Sequence, residues 1–169
     1  MVQVTRTIPP TMRPASAEET LAEDAAAAYR KLIISRARLQ MTDDRTPEYE
    51  ALLETRAAAQ SDCDRLLRQI GGESWLELLY TAQQTCADDL RRQDRLVAEQ
   101  EEAVYLLARQ PSAPAVELRR KQERLDALRL LRDELALRLH LTDEDARAAL
   151  QAELPIHYPA PASVRRGEL

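Results

Sequence analysis

The side chains able to do chemistry in this sequence are two histidines, two cysteines and many carboxylates and guanidinium groups. His140 falls at a predicted helix C-terminus, where a cation suits the helix dipole, and His157 lies near the chain's end. Neither has the Glu-x-x-His spacing of di-iron bundles, and no Cys-x-x-Cys, His-Glu-x-x-His or acidic calcium loop occurs. Glycine is confined to positions 71, 72 and 167, so no glycine-rich loop can cradle a phosphate. Paired carboxylates such as Asp88 and Asp89, or Glu101 and Glu102, are neighbours in sequence. On a helix they diverge by about 100° and cannot converge on one substrate atom. Ser35, His140 and Asp133 can be grouped as a triad only by composition. The expectation is therefore a protein that is not an enzyme, with no cofactor, no metal and no small-molecule substrate.

Basic residues cluster at Arg91, Arg92 and Arg95, at Arg119, Arg120, Lys121 and Arg124, and at Arg165 and Arg166. Brought onto one face, the first two groups could grip phosphates, as small helical subunits of some RNA-guided complexes do. Acids flank each cluster, aromatics are 4%, and 29 acidic against 24 basic residues leave a net charge of -5. Nucleic-acid binding is thus the lesser expectation. Elsewhere acids precede bases by four residues, as in Asp64 to Arg68, Asp88 to Arg92, Glu117 to Lys121 and Glu134 to Arg138, the pattern of solvated helix faces. Cys63 and Cys86 read as small core residues. If Gly71-Gly72 closes a hairpin, they sit roughly 9 Å out of register, too far for a disulfide.

The elements that would position these residues are helices. Phe is absent, Leu and Ala dominate, and the class is all-α: an antiparallel bundle of four main helices with one long spine helix and a short C-terminal helix. The divisions are an extended arm over 1–15, the bundle over 16–154 and an extended tail over 155–169. Ser16-x-x-Glu19 predicts the start of the first helix, which runs to about Met41. Thr46 and Pro47 open the second, and Gly71-Gly72 closes it. A turn that brief predicts that the second helix and the spine are antiparallel neighbours.

The spine is read from Ser74 to Gln110, with Trp75, Leu78, Leu79, Ala82, Cys86, Leu90, Leu96, Val97, Val104 and Leu107 along one side. Between Gln83 and Arg95 that stripe thins, which predicts a narrow seam, an exposed stalk or polar side chains facing a partner. Pro111 and Pro114 precede a fourth helix to about His140. Thr142-Asp143-Glu144-Asp145 then reads as the cap and acidic first turn of a short last helix.

The fourth helix carries two apolar sides. Leu118, Leu125, Leu128, Leu131, Leu135 and Leu139 share one; Val116, Leu130, Leu137 and Leu141 fall opposite. Two apolar sides need two coverings, the spine and either the first helix or a second copy. Val116, Leu130, Leu137 and Leu141, with Ile156 and Tyr158 in the tail, are the candidate partner-contact residues. The implied function is a structural or assembly protein that packs against protein partners as a homo-oligomer or as a subunit of a larger complex. Virion and secretion-machine components share this architecture of helical core and proline-punctuated arms. The alternative is a binding module acting as chaperone, inhibitor or regulator of one protein. With no leader pattern and no apolar run of membrane-spanning length, a cytoplasmic protein, or one within an assembled particle, is expected.

Overall fold

Ser16 starts the first helix as its spacing predicts. The Ser16 backbone N–H donates to Glu19 Oε2 at 2.8 Å and the Glu19 N–H donates to Ser16 Oγ at 3.2 Å, closing a reciprocal capping box. From there the computed structural model, which describes residues 16–153, is an all-α helical bundle. Helix α1 spans Ala17–Met41, α2 Pro47–Ile70, α3 Gly72–Ala108 and α4 Ala115–Glu153. The predicted arm and tail, including Ile156, His157 and Tyr158, lie outside the described residues. No described helix is long and apolar enough to cross a membrane.

Thr46 caps α2 by accepting the Tyr49 N–H at 3.3 Å, with Pro47 in the first turn. Gly71 ends it at φ 85, ψ 164, its N–H donating to Leu67 O at 3.0 Å. This is a backbone conformation that side chains with a Cβ rarely adopt. Helix α3 begins at once, at Gly72, two residues before the Ser74 start read from the sequence, so Ser74 lies inside the helix and does not cap it.

Two predictions about the second half of the chain need correcting. The short C-terminal helix does not exist as a separate element: α4 runs through Thr142 without a break and, at 39 residues, exceeds the 37 of α3. The chain has two long helices of roughly 55 to 58 Å. Cap-type residues favour a helix start without imposing one. With no Pro or Gly between 115 and 153, Thr142 returns its hydroxyl to the Arg138 carbonyl at 2.7 Å and continues the helix, wholly buried. The spine's antiparallel neighbour is also different. Helices α1 and α2 form one extensively packed hairpin, and α3 and α4 a second and longer one, while α2 and α3 meet at only a few positions. Helix α2 buries Ala59, Cys63 and Leu66, and α1 covers them, leaving α3 to pair with α4.

The hairpins join where α1 lies antiparallel on the C-terminal half of α4. Their shared core holds Ala25, Ala28, Tyr29, Leu32, Ile33 and Ala37 of α1, Leu79 of α3, and Leu141 and Ala146 of α4, with Trp75 and Leu137 packed against it. The run of alanines lets α1 approach closely, and the Tyr29 and Trp75 rings meet edge to face at 5.8 Å.

Candidate protein-interaction surfaces

A polar contact fixes how the two hairpins sit on each other. The Tyr29 hydroxyl donates to Asp145 Oδ2 at 2.7 Å, and Arg36 Nη1 donates to the same oxygen at 2.6 Å. Burial and then the Asp145 carboxylate push the Tyr29 phenol above its ordinary pKa. Asp145, expected in the acidic first turn of a short last helix, is thus an anchor between α1 and α4. Further along, Glu134 of α4 takes both Arg38 of α1 and Arg138 of its own helix.

Arg38 lies three residues before the end of α1. Helix α4 has 19 residues on the N-terminal side of Glu134, so the α3–α4 hairpin projects roughly 28 Å past the Arg38–Glu134 pair. Its seam is the polar stretch in the middle of the spine. Gln93, buried, donates from Nε2 to Leu128 O at 3.0 Å, and Gln100 does the same to Lys121 O at 3.0 Å. Near the base, Gln83 reaches Asp143 at 2.9 Å. These amides point into the hairpin and set its register, so the thinning of apolar residues marks a hydrogen-bonded seam. Val97, Leu107, Leu125 and Leu135 fill the rest of it.

Two helices packed only on each other leave their outer sides open. Among the described residues, six of the eight large hydrophobic residues exposed to solvent lie on this projecting part: Leu96, Tyr105, Leu106, Val116, Leu130 and Leu131. The candidate contact residues therefore separate. Val116 and Leu130 are exposed, at 65% and 61%, whereas Leu141 is 5% exposed and Leu137 packs on the core, both beneath α1. The second side of α4 is covered inside the chain at its C-terminal half and bare beyond the end of α1. Helical spacing located that side but could not tell where α1 would stop. Tyr105 and Leu106 were missed because each flanks a stripe that periodicity assigns to the spine's own core, and Leu96, placed by periodicity in that stripe, is instead 44% exposed, its neighbour Val97 taking the buried position.

A second concavity, of about 810 Å³, runs between α1 and α3. Leu21, Ile33, Ile34, Ile70, Leu78 and Ala82 make it largely apolar; Glu18, Glu23, Glu77 and Asp89 add acid, and Arg30 and Arg138 add base. Cys86 lines it half-buried, its thiol raised by burial, while Cys63 lies in the core and burial pushes it up to about 11. Both are free thiols.

The remaining candidates for chemistry stay apart. Ser35 is buried with its hydroxyl on its own Leu32 carbonyl, and His140 is exposed beside Glu144. Among the described residues no three of His, Cys, Asp and Glu converge as a metal ion would need. In the basic clusters Arg91 pairs with Asp88, Arg92 with Asp89 and Arg119 with Glu123. Comparison with protein-family models, curated proteins and solved structures finds no match to this chain.

Proposed function

We propose that this chain is a non-enzymatic assembly protein whose projecting α3–α4 hairpin is the surface that packs against protein partners, further copies of the chain among them. One observation carries the reading: the exposed large apolar side chains concentrate on the one part of the fold that has no second layer. Scattered surface leucines are ordinary, but six on a two-helix projection are a surface prepared for burial. A place in a virion, a secretion machine or another large complex fits this reading.

The test is mass in solution, measured by sedimentation for the full chain and for Leu130→Asp with Leu106→Asp. Both sites are more than half exposed, so helicity should persist while the wild-type oligomer dissociates. A wild-type chain that stays monomeric at its highest soluble concentration refutes self-assembly through this surface. A stable monomer that captures one protein at the groove supports a binding module in its place.

A further inference from the structure

We propose that the groove between α1 and α3 is a berth for one helix of another protein, a helix apolar along one side and basic at the end that meets Glu18, Glu23 and Glu77. It is a second surface, separate from the projecting hairpin.

The walls set the shape of the guest. Helices α1 and α3 both lie antiparallel to α4, so they run parallel to each other, and they meet at only a few positions. Three corners of a four-helix square are thus filled by α1, α4 and α3, and the groove is the fourth. From Glu18 to Ile34 it runs about 24 Å along α1, the rise of about sixteen helical residues. Leu21 and Ile34 of α1, Ile70 of α2, and Leu78 and Ala82 of α3 are only partly buried, packed on the core beneath and open to the groove above. Ala22 and Ala26 stand exposed on the α1 wall, with side chains too short to keep a helix away. An apolar stripe repeating every three or four residues fits such walls as ridges fit grooves. The projecting hairpin of a second copy is two packed helices wide, and the berth is one.

Charge sets the composition of the guest. Glu18 and Glu23 on α1 and Glu77 on α3 surround the end where both walls begin, and among the described residues none of them makes an ion pair. Glu18 suits the first turn of its own helix; Glu23 and Glu77 lie past that turn and have no such role. At the other end Asp89 is already held by Arg92 at 3.6 Å, and Arg138 by Glu134. What remains there is basic. Among the described residues Arg30 has no ion pair, and the buried Nε of Arg138 has no acceptor. Cys86 lines this same end. Lys or Arg on the guest over the three glutamates, and Asp or Glu beside Arg30, complement the two ends.

Two synthetic peptides of about sixteen residues test this, each with the same leucine stripe. One carries Lys at one end and Glu at the other; in its control every Lys is Glu. Alkylation of Cys86 reports cover over the groove, and alkylation of Cys63, in the core, reports opening of the bundle. With the full chain and the Lys peptide at about ten times its Kd, Cys86 labelling should slow about tenfold and Cys63 labelling should not change. The all-acid peptide should bind at least about tenfold more weakly. Glu23→Lys with Glu77→Lys, both at exposed positions, should keep the helices and invert that preference, which excludes a difference in peptide helicity as its cause. Leu106→Asp with Leu130→Asp should leave peptide affinity unchanged. The proposal is overturned if neither peptide slows Cys86, if both bind alike, or if the hairpin substitutions abolish binding. Cys86 labelling that slows with rising protein concentration in the absence of peptide also overturns it, because a second copy then fills the groove.

Discussion

Asp145→Ala tests what holds the two hairpins together. Asp145 Oδ2 accepts from a buried phenol at 2.7 Å and from a guanidinium at 2.6 Å. A hydrogen bond to a charged group contributes about 1.5 to 3 kcal/mol, and the Tyr29 hydroxyl, left without its acceptor in the core, keeps most of that penalty. The Arg36 pair is worth less. Both its side chains are 26% exposed, so water recovers part of the loss and about 0.5 to 1 kcal/mol is the reasonable share. The expected cost is about 3 kcal/mol, read as a fall in the urea midpoint at constant slope. Tyr29→Phe should cost about 1 to 1.5 kcal/mol, because Asp145 retains Arg36. In the double variant the two effects should fail to add by about 1 kcal/mol or more. If Asp145→Ala costs under about 0.5 kcal/mol, the level of an exposed pair such as Arg119 and Glu123, the carboxylate is not the anchor and α1 is held on α4 by apolar packing alone.

Other outcomes follow from the same geometry. Gly71→Ala meets no atom within 4 Å of the added methyl, so its expected cost of about 2 kcal/mol is backbone strain at φ 85, measurable by thermal unfolding. A cost near zero would mean that the junction relaxes. Leu135→Asp buries an unpaired carboxylate at a site 6% exposed and should lower stability by about 3 kcal/mol or more; circular dichroism will separate it from Leu130→Asp, which should retain its helices. The alkaline limb of stability should carry a Cys63 component. With its folded pKa raised from 9.0 to about 11, the unfolded chain loses that proton first. The contribution is therefore complete below about pH 9 and lost as pH rises through about 11. Tyr29, also raised, acts in the same sense at higher pH. Cys63→Ala should flatten the fall in urea midpoint between about pH 9 and 11, and an unchanged slope would refute the assignment.

The class of the fold, the starts of α1 and α2 and the glycine that ends α2 are local properties, and the sequence by itself determined them. Ser16 with Glu19, Thr46 with Pro47, and Gly71 each satisfy or release backbone groups within one turn, so spacing alone is enough to find them. The two-sided pattern of α4 was legible for the same reason. What each side meets was not. Whether Thr142 starts a helix or continues one depends on α1 burying it and on no breaker standing before it. Whether Asp145 is solvated or an anchor depends on Tyr29 and Arg36, more than 100 residues away. Leu141 and Leu130 belong to one stripe, yet the first is core and the second surface, because α1 ends between them. Periodicity records that a side chain prefers to be covered; the length of the neighbouring helix decides whether this chain covers it or leaves it for another.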